Sequence, residues 1–230
     1  MVHRDVVIIG SGPAGLSAAK VLLDAGAKVC LIERNTTLGG QLIKQTHKFF
    51  GSEKEHASKR GIDIMDYLVG GLRAHGDRLE VLSETTVVAL YKDKVVGCLT
   101  GETYFKIKAE RIIVATGASE KSLPFENNDL PGVYAAGAVQ TLMNEYGVKP
   151  GNNVLMVGSG NIGLIVSYQL LQAGVHIKAL VEAAPFISGY HVHASKIRRL
   201  GVPIFTRSSI KRAIGDDQVE KAVIWSLDEN

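Results

Sequence analysis

The glycine-rich hexapeptide Gly10-Ser11-Gly12-Pro13-Ala14-Gly15 recurs far downstream as Gly158-Ser159-Gly160-Asn161-Ile162-Gly163. Each copy follows an apolar β-type run, Val6 to Ile9 or Val154 to Val157, and opens a helical pattern. Each is followed by a second apolar run that ends in an acid, Glu33 or Glu182. Strand, glycine turn, helix, strand and acid together describe a βαβ unit that holds a dinucleotide. The first glycine permits a tight reversal, the second lets backbone N–H groups approach a pyrophosphate, and the third brings helix and strand close together. The anion then faces the helix N-terminus, where unpaired N–H groups and the helix dipole favour negative charge. An acid at the end of the following strand is placed to accept hydrogen bonds from a ribose.

The two units also align beyond the glycines: Leu22-Leu23-Asp24-Ala25-Gly26 matches Leu170-Leu171-Gln172-Ala173-Gly174. Duplication of one βαβ unit explains the pattern, and the chain is expected to hold two dinucleotides.

Composition narrows the class. With 230 residues, 46% hydrophobic and 21% charged, the chain has the make-up of a soluble globular protein with one large or two modest domains. Its net charge of +3 is small, and basic residues stand near acids, as in Glu53-Lys54-Glu55, so a nucleic-acid partner is not expected. Cys30 and Cys98 form neither a CxxC pair nor a zinc spacing, which fits a reducing cytoplasm. No secretory signal is visible, since the first apolar run breaks at Gly10. The uncharged stretch from Val154 to Ile177 reads as strand, turn and helix rather than a membrane span, because Gly-Ser-Gly-Asn interrupts it.

The expected fold is α/β, with two Rossmann-like dinucleotide-binding domains and small β-meanders. Residues 1–120 form the N-terminal part of the first domain, residues 121–150 a linker with a short helix at Ala138 to Tyr146, and residues 151–230 a second domain. In the first, strands are predicted at Asp5 to Ile9 and Lys28 to Glu33, with helices at Ala14 to Ala25 and Gly61 to His75. Four short runs, Glu80 to Leu82, Val87 to Tyr91, Val95 to Leu99 and Tyr104 to Ile107, read as a meander, and Arg111 to Ala115 as a separate buried strand. In the second, strands are predicted at Val154 to Val157, Lys178 to Glu182 and Val202 to Phe205, with helices at Ile162 to Ala173 and His193 to Leu200. A further meander after Ser208 includes a strand at Val219 to Leu227, and the chain reads as ending within its second domain.

With these motifs, together with Gly39-Gly40-Gln41 after the first acid, Ala115-Thr116-Gly117-Ala118 and Asn128-Asp129-Leu130-Pro131-Gly132-Val133, the sequence resembles the two-dinucleotide flavoproteins that include the pyridine-nucleotide-disulfide oxidoreductases. It is most similar to the branch containing the α subunits of sarcosine oxidase and dye-linked proline dehydrogenase. The resemblance implies FAD in the first domain and NAD in a second domain inserted into it. It implies that Gly10, Ser11, Gly12, Pro13, Ala14 and Gly15 hold the FAD pyrophosphate, and that Glu33, followed by Arg34, holds the adenosine ribose. Gly40 and Gln41 would lie along the cofactor, Val87 would meet adenine through its backbone, and Ala115, Thr116 and Gly117 would pack beside the pyrophosphate. Gly158, Ser159, Gly160, Asn161, Ile162, Gly163 and Glu182 would do the same for NAD. The sequence departs from the family in lacking the cysteine pair of the disulfide-reducing members, so disulfide reduction is not expected, and it reads as stopping before the family's C-terminal return, which supplies a Gly-Asp to the flavin.

The expected activity is hydride transfer between NAD(H) and flavin, with the cofactors carrying the reaction and no catalytic side chain nominated. The final donor or acceptor would be a small amine or amino acid, a quinone, oxygen or a partner subunit. A homo-oligomer is compatible with this. The alternative is a non-catalytic nucleotide-binding subunit or fragment with a structural NAD or ATP. Glu182 is followed by Ala183-Ala184-Pro185 with no adjacent cation, so NAD is expected over NADP. Lys44, Gln45, His47 and Lys48 read as a solvated loop in preference to a flavin or anion contact, and Phe49-Phe50 as a hydrophobic wedge. His191 and His193 read as ordinary histidines rather than metal ligands, and no metal site is expected.

Overall fold

The computed structural model describes residues 1–48 and 52–228, and the chain divides into two compact units, Met1–Ser119 and Glu120–Asn230. Phe49-Phe50 lie outside the described residues. The first unit opens with β1 (Val2–Ile9) and α1 (Pro13–Asp24). Pro13 suits the first helical turn, because its fixed φ matches the helix and its missing N–H would have no intrahelical acceptor. Gly26, at φ +86°, ends the helix and donates to Leu23 O at 3.0 Å. The chain returns as β2 (Val29–Ile32), parallel to β1 with Val6 opposite Val29.

After α2 (Gly61–Arg73), where Asp63 accepts the Arg60 backbone N–H at 3.3 Å, come β3 (Leu79–Leu82), β4 (Thr85–Leu90), β5 (Val95–Thr100) and β6 (Thr103–Val114). They join β1 and β2 in one six-stranded sheet, in the order β3-β2-β1-β6-β5-β4. The sheet corrects two expectations. The run Glu80 to Leu82 is not the start of a meander but a parallel partner of β2, with Val29 opposite Leu79. Tyr104 to Ile107 and Arg111 to Val114 are one twelve-residue strand, not two. The polar residues Lys108 and Glu110 interrupt the apolar run, but they alternate with buried Ile107 and Ala109 at the period of a strand.

β1 is buried on both faces over its second half, as a central parallel strand should be. Val6 and Ile8 pack with Leu16, Leu23, Leu31 and Leu72 on the side that includes α1 and α2. Val7 and Ile9 pack with Cys30, Ile32, Val96, Cys98 and Ile107 on the other. Each such side chain contributes roughly 1.5–3 kcal/mol by leaving water, so β1 is the strand about which this unit is organised.

The second unit contains α3 (Ala136–Asn144), β7 (Asn153–Val157), α4 (Asn161–Gln172), β8 (His176–Val181), α5 (His191–Arg199), β9 (Ile204–Phe205), β10 (Ser208–Ile214) and β11 (Lys221–Ser226). β7, β8 and β9 make a parallel sheet in that order, and β10 and β11 an antiparallel hairpin. β9 is shorter than the sequence pattern suggested because Pro203 has no N–H to give to a ladder, although its carbonyl accepts Leu180 N–H at 2.9 Å. Among the described residues β7 pairs on one side only, with β8.

Helix α4 is the core of this unit: Leu164, Val166 and Leu170 are buried with Leu180 and Ile197. Its buried Gln169 accepts a hydrogen bond from the Gln140 amide of α3 at 3.0 Å, which offsets the cost of burying both groups. Residues 121–150, read as a linker, are hydrogen-bonded into this unit. Ala213 N–H donates to Glu126 O at 3.0 Å, the Asn127 amide to Ala213 O at 3.0 Å, and Val219 N–H to Pro131 O at 2.9 Å. No helix among the described residues is long and apolar enough to cross a membrane.

Candidate functional site

The two glycine hexapeptides adopt the same structure. Gly10 and Gly158 both have φ +98°, a region that suits glycine. Gly10 N–H donates to Ile32 O at 2.8 Å and Gly158 N–H to Val181 O at 2.7 Å, which ties each turn to the neighbouring strand. A Cβ on Gly15 would lie 1.9 Å from Gly10 O, and one on Gly163 would lie 2.2 Å from Gly158 O. These two glycines therefore allow the helix to close on its own turn. Gly12 and Gly160 differ in kind: a Cβ on Gly12 would meet nothing within 4 Å, and one on Gly160 only Ser188 Oγ at 3.9 Å. Their outward side is clear for a ligand to approach the backbone.

The helices that follow are left ready for an anion. Neither N-cap, Gly12 or Gly160, receives a side-chain cap, and neither first turn contains an acidic residue. The first-turn N–H groups of α1 and α4 have no intrahelical acceptor, so they and the helix dipole suit a bound diphosphate. Both loops thus fit a dinucleotide.

Behind each loop a carboxylate fixes its shape. Ser11 donates its backbone N–H and its hydroxyl to Glu33 Oε2, at 3.0 and 2.5 Å, and Asn35 N–H donates to Oε1 at 2.9 Å. Ser159 donates the same pair to Glu182 Oε2, at 2.9 and 2.6 Å, and Ala184 N–H donates to Oε1 at 3.0 Å. A backbone segment then crosses each serine: Gly39 N–H donates to Ser11 O at 3.0 Å and Gly189 N–H to Ser159 O at 2.9 Å. The correspondence continues past the acid, with Thr85 N–H on Glu33 O and Ser208 N–H on Glu182 O, both at 2.9 Å. The duplicated unit therefore extends well past the helix in which the two sequences visibly match.

Ionisation of Glu182 is opposed by its burial. That opposition is outweighed by the Ser159 hydroxyl, the N–H groups of Ala184 and Ser159, and the Ser188 hydroxyl, so its carboxyl is held below the ordinary value of 4.5. It is a carboxylate at neutral pH.

The copies differ in what surrounds them. In the first, a Cβ on Gly10 would lie 2.4 Å from Ala115 O, because β6 flanks β1 there. A Cβ on Gly40 would lie 2.7 Å from the Gly12 Cα, so the Gly39-Gly40 turn is pressed against the loop. In the second, a Cβ on Gly158 would meet no described atom within 4 Å. Instead, the segment before α5 lies over the loop, with Tyr190 N–H donating to Asn161 Oδ1 at 2.8 Å and Ser188 Oγ donating to Glu182 Oε2 at 3.1 Å. The left-handed residue beside the acid is Glu84 in the first copy and Arg207 in the second. Arg207 N–H donates to Ala184 O at 3.0 Å, while its guanidinium pairs with Asp228 at 3.2 Å. Sequence reasoning missed this cation, since only the strand arrangement brings it next to Ala184. It equally missed Ser188.

The remaining expected site residues are spread around the two loops. Pro13 and Ala14 are exposed at the start of α1, Arg34 is exposed beside Glu33, and Gln41 is exposed in the short 3-10 turn Gly40–Lys44. Val87 stands at a register shift in β4, and Thr116 and Gly117 follow closely on β6. Ile162 is exposed on the first turn of α4. The segment read as a solvated loop is partly packed: Lys44, Gln45 and His47 are half-buried, and Gly61 N–H donates to Gln45 O at 2.9 Å where α2 begins. His193 is buried with its ring stacked on Tyr190, and His191 shares a hydrogen bond with Ser195. Among the described residues no group of three acids, histidines or cysteines is arranged to hold a metal.

Residues 4–229 match the profile of the pyridine nucleotide-disulphide oxidoreductase family. The chain belongs to that family. That family's cofactors are FAD and NAD(H), and this chain carries the family's dinucleotide-binding fold. It is 32% identical over 197 residues to the alpha subunit of sarcosine oxidase from Rhizobium meliloti (strain 1021), covering 80% of this chain and 19% of that protein. It is 31% identical over 185 residues to a subunit of opine oxidase from the same strain, covering 78% of this chain and 39% of that protein. Among solved structures it resembles L-proline dehydrogenase from P. horikoshii, with a TM-score of 0.69, 28% identity, and coverage of 96% of this chain and 39% of the other. The chain thus spans well under half the length of each of these relatives.

Proposed function

We propose that this family member binds FAD at the Gly10–Gly15 cradle and NAD(H) at the Gly158–Gly163 cradle, and that it passes electrons between the two and a further redox partner. The observation that carries this reading is the duplicated loop and carboxylate: Ser11 with Glu33, and Ser159 with Glu182. Within each cradle the backbone N–H groups at the helix start hold the diphosphate, the carboxylate accepts from the ribose, and the clear side of Gly12 or Gly160 admits the ligand. When both are bound, the nicotinamide and the flavin supply a hydride exchange, a reaction that needs orientation from the protein but no acid or base side chain.

Glu182 favours NAD over NADP, because a 2′-phosphate would be set against a carboxylate, and the nearby cation, Arg207, is already paired with Asp228. Disulfide reduction is disfavoured because Cys30 and Cys98 are both buried within the first unit's core. Sarcosine, opines and proline, the compounds in the relatives' names, are secondary amines that carry a carboxylate. A small amino acid of that class is therefore the proposed final electron donor. Two of these relatives are named as subunits, which supports action together with a partner subunit.

The test is optical. Purified protein reconstituted with FAD should be yellow and should bleach anaerobically on addition of NADH. Protein that binds NAD but takes up no FAD would overturn the reading in favour of a nucleotide-binding role without catalysis.

A further inference from the structure

The two carboxylates are served alike by their serine and by the N–H two residues on, yet Glu182 has one donor more than Glu33 among the described residues. Glu33 Oε2 accepts two hydrogen bonds, both from Ser11. Glu182 Oε2 accepts the equivalent two from Ser159 and a third from Ser188 Oγ at 3.1 Å. A carboxylate oxygen has two lone pairs, so the third donor shares a site that is already used. Ser188 is exposed, and so is the hydrogen bond from its hydroxyl to the acid. Its main chain is tied down: Ser188 N–H donates to Ser159 Oγ at 3.3 Å, and in the next two residues Gly189 N–H is held by Ser159 O and Tyr190 N–H by Asn161 Oδ1. A Cβ on Gly189 would lie 2.6 Å from Leu164 Cδ1 and 2.8 Å from Ser159 O, so this backbone already lies against the loop. What can turn is the Ser188 side chain, by rotation about χ1.

We infer that the Ser188 hydroxyl occupies the place on Glu182 that the adenosine 2′-hydroxyl of NAD takes, so that it must rotate away for the nucleotide to bind and sets the affinity of the second cradle. This rests on the proposal that the second cradle binds NAD. It gives Ser188 a role without a counterpart at the first cradle, where Gly39 takes the place of Gly189 and the residue before it, Leu38, has no hydroxyl to offer Glu33. The consequence is an asymmetry between the sites. FAD meets a carboxylate that carries no such third donor among the described residues, whereas NAD must first break a hydrogen bond that the protein makes with itself. The second site is thereby tuned for a ligand that exchanges.

The test compares wild type with Ser188→Ala and Ser188→Gly, each with FAD in saturating excess, by calorimetric titration with NAD and with an NAD analogue lacking the adenosine 2′-hydroxyl. Loss of the competing hydrogen bond should tighten NAD binding about two- to tenfold in both variants. Binding of the deoxy analogue should be unchanged, because it brings no hydroxyl to the vacated place. NAD binding that is unaltered or weakened in the variants, or equal tightening for both ligands, would overturn the role of Ser188 and leave the NAD site standing. Wild-type protein that binds no NAD would overturn both. The FAD affinity of the variants, expected to match wild type, shows that each is folded.

Discussion

Ser11 and Glu33, twenty-two residues apart, are joined by two hydrogen bonds to a single carboxylate oxygen, one from the serine backbone at 3.0 Å and one from its hydroxyl at 2.5 Å. Both residues are buried, Ser11 completely and Glu33 with 6% of its surface exposed. The bond from the hydroxyl is charge-assisted and shielded from water, so Ser11→Ala should cost about 1.5–3 kcal/mol of unfolding free energy. Urea denaturation of the two proteins measures this directly. A loss under about 0.5 kcal/mol would mean that the loop holds its shape without the acid.

The glycines of one loop should separate into two kinds. Gly15→Ala places a methyl 1.9 Å from a carbonyl oxygen, and should lower stability by more than about 3 kcal/mol. Gly12→Ala meets no protein atom, has φ −67° that alanine accepts, and should melt within a few degrees of wild type. It should nevertheless weaken FAD binding by about tenfold or more, because the methyl points to the space the diphosphate would use. Thermal melts and flavin titrations of the two variants should therefore set them apart: one fails by unfolding, the other by losing its ligand.

Glu182 makes a pH-dependent contribution whose sign is fixed by its lowered folded-state value. Stability from this group is complete above its unfolded value near 4.5, and is lost as pH falls through the lower value it has when folded. Glu80, paired with Arg4 across the first sheet, and Asp24, beside Lys20, are shifted the same way, so acid sensitivity belongs to several groups. The difference between wild type and Glu182→Gln isolates one of them. Their stabilities should converge as pH drops below 4.5, with the wild type ahead at about pH 6 to 7.

Nucleotide choice should follow the same carboxylate. Wild-type protein should bind NAD more tightly than NADP, and Glu182→Ala should narrow the ratio by removing the charge that opposes a 2′-phosphate. Competition between the two nucleotides in one titration provides the measurement. An unchanged ratio would place the discrimination elsewhere, with Arg207 the first residue to examine.

The cradles were legible because their requirements are local: glycine spacing, an apolar run on each side, and an acid one strand later. The periodic segments α1, α2, α4, β1 and β2 were legible for the same reason. What stayed hidden depends on residues meeting across the fold. Leu79–Leu82 is too short to reveal whether it pairs parallel with β2 or continues into a hairpin, and only the sheet order decides it. Lys108 and Glu110 broke the apolar run in sequence while preserving strand alternation in space. Ser188 and Arg207 reach the neighbourhood of Glu182 through a returning loop and the turn before a neighbouring strand, so neither left a mark in the spacing that announced the acid itself. Nor does composition disclose that residues 121–150 are laced into the second unit through Glu126, Asn127 and Pro131, because those bonds are mostly main-chain.

The one-sided pairing of β7 has a consequence for handling this molecule. In the first unit the matching flank of β1 is covered by β6, whereas no strand among the described residues pairs with the second edge of Asn153–Val157, which ends in an exposed valine, Val157. A bare flank of this sort is adhesive to any extended peptide, including another copy of itself. Crowding is then a stress in its own right, separate from heat or acid, and whatever chain settles along that flank relieves it.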